Sequence, residues 1–208
     1  MMVNKTPRVG GVTQAKRTRM SPEARRDQLI ALGLQMMSER PLDEVSIDAI
    51  AEVAGVSRAL LFHYFDSKQD FHVAIARAQG EEMLRLTAPD ESLDDPLAIL
   101  SSSLSAFVDY VSEHRSAYTA FLRGASSTDP AMRAVIDGTR EAMAERVLDH
   151  APALGVEVTP AVRLATFGWI AFVEEVTIGW LTDEQISREQ LLALIGSSLP
   201  AIAVVASA

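Results

Sequence analysis

The chain has 208 residues, 48% hydrophobic and 23% charged, the make-up of a globular protein with room for a small module and a larger core. It contains no cysteine, which excludes disulfides, thiolate metal sites and cysteine nucleophiles. The net charge of −9 is unevenly spread: residues 1–80 carry eleven Lys/Arg against nine Asp/Glu, so the acidic excess lies in the remainder.

Residues 1–20 hold Lys5, Arg8, Lys16, Arg17 and Arg19 and no acid, a basic arm suited to an anionic partner. They lack the apolar stretch of a signal peptide, so the expected location is cytoplasmic. Ser21-Pro22-Glu23 then opens a first helix, with a hydroxyl cap, proline in the first helical position and an acid in the first turn. Leu29, Ile30, Leu32, Gly33, Met36 and Met37 recur at helical spacing up to Pro41. A short second helix runs from Ser46, with Ile47, Ile50, Ala51 and Ala54 on one face, and Gly55 stops it. A third begins after Ser57, whose hydroxyl can cap it. Asp66-Ser67-Lys68-Gln69-Asp70 reads as a turn and capping box opening a long helix to about Leu86.

Beyond the loop Ala88–Asp95, helix starts are marked by Asp95-Pro96, Asp129-Pro130, Thr159-Pro160 and the box Ser187-Arg188-Glu189-Gln190. No segment shows the period-two alternation of a sheet, so the expected fold is all-α with about nine helices. The expected organisation is a basic arm over 1–20, a three-helix helix-turn-helix module over 21–66, and a helical body over 67–208.

Two short helices joined through Gly55 form a helix-turn-helix, because glycine reverses the chain at positive φ without a Cβ clash. Ile47, Ile50, Val53, Val56 and Leu61 are expected to hold the pair against the first helix. That leaves Arg58, Ala59, Leu60 and His63 free on the third helix, followed by Tyr64 and Phe65.

The stretch SIDAIAEVAGVSRALLFHYFDSKQDF, residues 46–71, resembles the signature of the TetR (tetracycline-repressor-like) family of transcriptional regulators. The matching positions are Ile50-Ala51, Ala54-Gly55-Val56-Ser57, Leu61, Phe65, Ser67-Lys68 and Phe71. The resemblance implies that the third helix, opened by Ser57, enters the major groove of double-stranded operator DNA. Arg58 would then donate two hydrogen bonds to a guanine edge, and Ala59 and Leu60 would offer apolar contact. It also implies phosphate or backbone contacts for Ser46, His63, Tyr64 and Lys68. Two positions depart from the pattern: Phe62 replaces the usual tyrosine, and Pro41 stands where a glycine commonly ends the first helix.

A major-groove reader of this kind works as a two-fold dimer, so a homodimer surface is expected. Thr159–Leu181 is apolar nearly all round and needs cover on more than one side. The uncharged tail from Leu191 is broken up by Gly196, Ser197-Ser198 and Pro200, and reads as a buried helix rather than a membrane span. Gly168, Glu175 and Gly179 from the first segment, with Leu191, Leu194, Ile195 and Ile202 from the second, form the expected dimer interface. Phe107, Tyr110, Tyr118, Phe121, Met143, Trp169, Phe172 and Val173 form the expected effector pocket, suited to a small lipophilic molecule. Within so apolar a helix, Glu174 and Glu175 need partners or water.

Enzymatic readings find no support: His63, His72, His114 and His150 lack metal-ligand spacing, and no nucleophile elbow, P-loop or dinucleotide fingerprint occurs. No cofactor and no metal are expected. The sequence therefore points to a ligand-responsive DNA-binding regulator, a repressor released from a palindromic operator by its effector. It leaves open an activator, and a helical small-molecule-binding or interaction protein that does not read DNA.

Overall fold

The computed structural model describes residues 20–37, 40, 42–124, 128–183 and 185–206. The basic arm up to Arg19, and the departure at Pro41, lie outside the described residues. Among those described there are nine α-helices and no strand: α1 Pro22–Met37, α2 Ile47–Ala54, α3 Arg58–Tyr64, α4 Lys68–Leu86, α5 Pro96–Glu113, α6 Arg115–Arg123, α7 Pro130–His150, α8 Pro160–Thr182 and α9 Arg188–Ala206.

The capping signals set nearly all of these boundaries. Ser46, Ser57, Ser67 and Thr159 each accept a backbone N–H three residues on, and Asp95 and Asp129 accept from the first turns of α5 and α7. Before α9 the capping box is reciprocal: Gln190 N donates to Ser187 Oγ, and Ser187 N donates to Gln190 Oε1. Gly55 has φ 64° and donates its N–H back to the end of α2. The α5–α6 break at His114 carries no side-chain cap.

The helices enclose two apolar clusters. The first joins Leu29 and Met37 of α1 to Ile50 of α2, Leu61 of α3 and Phe71 and Ile75 of α4. It also takes in Phe121 of α6 and Met132 and Ile136 of α7. The second is built from Met83 at the far end of α4 and from α5, α7, α8 and α9. α4 therefore belongs to both cores, and no core boundary falls at residue 66. Val53 is an exception to the expected packing: it faces outward, 61% exposed.

Two glycines let α4's neighbours approach closely. A Cβ on Gly33 of α1 would stand 2.4 Å from Ile75 Cδ1, and one on Gly80 of α4 would stand 2.7 Å from Thr139 Oγ1 on α7. Both distances are sterically impossible without movement, so α4 is gripped from two sides.

α9 continues through Pro200 to Ala206, but it is not the buried helix its composition suggests. Only Leu191 and Ile195 on it are buried; Leu194 is 46%, Val204 73% and Val205 77% exposed. By length and composition α8 and α9 are each long and apolar enough to cross a membrane. Here they pack side by side, with their inner faces on the second core.

Candidate functional site

The third helix, α3, is short and its outward strip is well defined. Leu61 is fully buried and Tyr64 packs half-buried against the first core, which fixes α3's rotation. Arg58, Ala59, Phe62 and His63 are consequently turned outward, with Leu60 half-buried beside them. Arg58 Nη1 lies 3.1 Å from both Oδ1 and Oδ2 of Asp48, in the first turn of α2. Its guanidinium also stands 5.6 Å from the centre of the Phe62 ring, within cation–π range. Phe62, 43% exposed, is thus part of the outer surface and a platform for Arg58. His63 and Tyr64 meet edge to face, 5.3 Å apart.

Two hydroxyls and an ammonium lie near this strip. Ser46 Oγ accepts from Ala49 N at 3.1 Å and Ser57 Oγ from Leu60 N at 3.3 Å. A hydroxyl that accepts through a lone pair keeps its own proton to donate, so each can still bind an anionic oxygen. Lys68 Nζ donates to Asp43 O at 3.0 Å, which moors the ammonium on the first turn of α4 and leaves two donors. Beneath it, buried His72 places Nε2 2.9 Å from Val45 O. The His72 pKa is lowered, chiefly by burial, with the nearby Lys68 charge adding to this against the Val45 carbonyl.

A cavity of about 100 Å³, partly open to solvent, lies in the body. Of the expected pocket residues, Phe107, Met143, Trp169 and Val173 line it. Four others do not. Tyr110 stacks on His114 and points its hydroxyl at Gln79 O, 3.4 Å away. Tyr118 is buried edge-on to Phe107, with its hydroxyl on Glu174 Oε1 at 3.2 Å. Phe121 belongs to the first core, and Phe172 packs half-buried on the second, away from the wall.

Sequence reasoning missed Thr87 and Pro89 after α4, Leu100 and Leu104 on α5, and Arg146 and His150 on α7. The signal was the helical register: Met143, Arg146, Val147 and His150 share one face of α7, as Pro96, Leu100, Ser103, Leu104 and Phe107 do on α5.

Glu174 is 4% exposed and forms part of the wall. Arg140 donates to its Oε2 through Nε at 2.8 Å and Nη2 at 2.7 Å, and Tyr118 donates to Oε1. The Tyr118 hydroxyl is pushed well above the usual tyrosine range, first by burial and then by the Glu174 charge, so it stays protonated as a donor. Burial works to lower the Arg140 pKa, but the hydrogen bond and charge of Glu174 outweigh it and the net shift is upward. Glu175 is exposed and pairs with Arg123 of α6.

The expected interface residues divide. Gly168, Glu175, Gly179 and Leu194 are exposed on the outer side of α8 and α9, and Ile202 is half-buried. Leu191 and Ile195 are 0% exposed, because their face of α9 turns into the chain's own core, so neither is available to a partner. Leu164 (75%), Val204 and Val205 are the large outward apolar groups that the sequence reading did not single out.

Residues 29–75 match the family model described as bacterial regulatory proteins, tetR family, and residues 96–199 match that of the tetracyclin repressor-like C-terminal domain. Among solved structures, a tetR-family transcriptional regulator from Streptomyces coelicolor is 31% identical with a TM-score of 0.77, covering 90% of this chain and 83% of that one. The fatty acid degradation regulator FadR from Bacillus halodurans shares the fold at 14% identity and a TM-score of 0.62, covering 91% and 97%. The HTH-type transcriptional activator FasR of Mycolicibacterium smegmatis is 23% identical over 169 residues, 80% of this chain and 77% of that protein. With its helix-turn-helix, its two-core body and both family models in place, the chain belongs to the TetR family of DNA-binding transcriptional regulators.

Proposed function

We propose that the chain acts as a homodimer that reads a palindromic operator through α3 and is released, as a repressor, by a small lipophilic effector in the body cavity. The observation that carries this reading is the double membership of α4. Phe71 and Ile75 sit in the core that supports α3, Met83 sits in the core around the cavity, and Thr87, just past the helix end, lines the cavity itself. A ligand that prefers one tilt of α4 therefore biases the position of the reading helix. The coupling requires only that effector and DNA favour different tilts.

The outer face of α8 and α9 supports the dimer. Leu164, Leu194, Val204 and Val205 stand exposed around Gly168 and Gly179, a small-residue apolar patch of the kind that a second copy covers. Ser46, Ser57, Ala59, Leu60, His63, Tyr64 and Lys68 would hold phosphates and base edges around Arg58. FadR of Bacillus halodurans, a fatty acid degradation regulator, agrees with an apolar cavity, whereas FasR, an activator, marks the other regulatory sense. A soluble, cytoplasmic location follows from the regulatory role.

The test is release. A duplex selected by the full chain is labelled, its anisotropy is followed, and lipophilic small molecules are titrated in. Saturable release by a molecule that also protects the protein against thermal unfolding supports the reading. Ligands that occupy the cavity yet leave DNA affinity unchanged contradict it.

A further inference from the structure

We propose that the cavity takes an amphipathic anion, with a carboxylate head on Arg146 and an apolar chain running inward past Leu104 to Phe107 and Trp169. This rests on the reading of the cavity as the effector site.

The charges on the wall decide the sign of the head group. Glu174 is already neutralised by Arg140 and hydrogen-bonded by Tyr118, so a cationic ligand would have to displace partners it cannot improve on. Arg146 is the opposite case. It lines the cavity half-buried, Nη1 donates to Leu84 O at 2.6 Å, and no carboxylate pairs with it among the described residues. A guanidinium carries five N–H donors, so beyond the bond to Leu84 O Arg146 keeps donors that a ligand in the cavity can meet. A carboxylate meets two of them at once. His150 does not compete for that role, because its Nε2 faces the exposed Glu91 at 3.5 Å and its Nδ1 lies 2.8 Å from Arg146 O.

The register along α4 decides which way the chain points. Tyr110, one turn beyond Phe107 on α5, reaches Gln79 O, whereas Arg146 reaches Leu84 O, near the C-terminal end of α4. Five residues of helix separate the two levels by about 7.5 Å. Arg146 thus lies toward Thr87 and Pro89, at the end where the α4–α5 connection borders the cavity. Phe107 lies at the opposite end, its ring edge-on to Tyr118, which donates to the wall residue Glu174. From Pro96 to Phe107 the wall extends about 16 Å along α5, enough for a chain of about ten carbons.

Calorimetric titration of the full chain with decanoate, decanol and decyltrimethylammonium, each below its aggregation limit, reads the head-group preference directly. Decanoate is expected to bind at least about tenfold more tightly than decanol, with the ammonium weakest. Arg146→Gln should abolish the carboxylate preference while decanol affinity stays within about twofold, and Arg146→Lys should retain most of it. The assignment is overturned if decanol or the ammonium binds as tightly as decanoate, or if Arg146→Gln keeps the preference. Should Arg146→Gln not fold, the wild-type comparison and the lysine variant decide alone. Decanol binding without carboxylate preference removes the head-group assignment only, whereas binding by none of the three removes the effector-cavity reading with it.

Discussion

Arg58 Nη1 stands 3.1 Å from both carboxylate oxygens of Asp48, so the guanidinium that opens α3 is held by an acid on the neighbouring helix. Both side chains are mostly exposed, and such a pair contributes between roughly 0 and 1 kcal/mol, little enough to give way to a guanine edge. Arg58→Ala is expected to cost about 1–3 kcal/mol on a selected duplex and to relax one base preference. Asp48→Asn removes a negative charge facing the duplex, so scrambled DNA should bind more tightly and the ratio of selected to scrambled affinity should fall. Anisotropy on both duplexes measures these ratios; a ratio untouched by Arg58→Ala counts against α3 as the reader.

Lys68 offers charge without sequence information. Lys68→Ala should weaken selected and scrambled duplexes alike and reduce the slope of log affinity against log salt by about one unit per half-site contact. A slope equal to that of the wild type removes Lys68 from the phosphate contacts.

The Glu174–Arg140 pair makes a stability prediction. Arg140→Met leaves a buried carboxylate with Tyr118 as its remaining partner, and should cost about 3–5 kcal/mol in chemical denaturation. Adding Glu174→Gln should recover much of that loss, a coupling visible in the double-mutant cycle. Losses that simply add would show that the two side chains do not act as a pair.

His72 makes folding sensitive to acid. Its folded pKa is below its unfolded value, so below about pH 6.5 the unfolded chain binds more protons than the folded one. Its contribution to stability is therefore complete above that pH and declines as pH falls toward the folded value. The denaturation midpoint should fall between pH 7.5 and pH 5.5, and less steeply in His72→Gln. Equal slopes in the two proteins would assign the acid sensitivity elsewhere.

Gly168 isolates self-association from folding. Among the described residues, nothing beyond its chain neighbours and its own helix backbone lies within 4 Å of where its Cβ would be, and the position faces outward. Gly168→Arg should therefore leave the melting of the protomer intact while weakening the dimer at least about tenfold, or 1.4 kcal/mol, by sedimentation. A dimer that persists unweakened would place the interface on another face.

The fold was legible because its punctuation is chemical and local. Ser46, Ser57, Ser67, Asp95, Asp129 and Thr159 each cap the helix they were expected to open, and Gly55 takes the αL conformation the turn requires. The break at His114 was not marked by any such residue, since no side-chain cap forms there. The body's sites were harder to read because an aromatic side chain has the same composition signal whether it lines a cavity or fills a core. Tyr118 and Phe121 look alike in sequence, yet one donates to Glu174 and the other joins the core beneath the reading helix. Leu191 and Leu194, three residues apart on α9, end up 0% and 46% exposed, a difference set by rotation about the helix axis. The importance of Arg146 is likewise tertiary: it rests on which carboxylates lie near, and Glu174 was already taken by Arg140.

The central claim, a paired α3 reading one operator, is tested most directly by selection from a random-sequence duplex pool with the full chain. The expected result is an enriched inverted repeat whose half-sites lie on one face of the duplex, about one helical turn or a multiple of it apart, and whose enrichment is lost in Arg58→Ala. A pool that stays unenriched after repeated rounds, or one that Arg58→Ala enriches equally well, would contradict it.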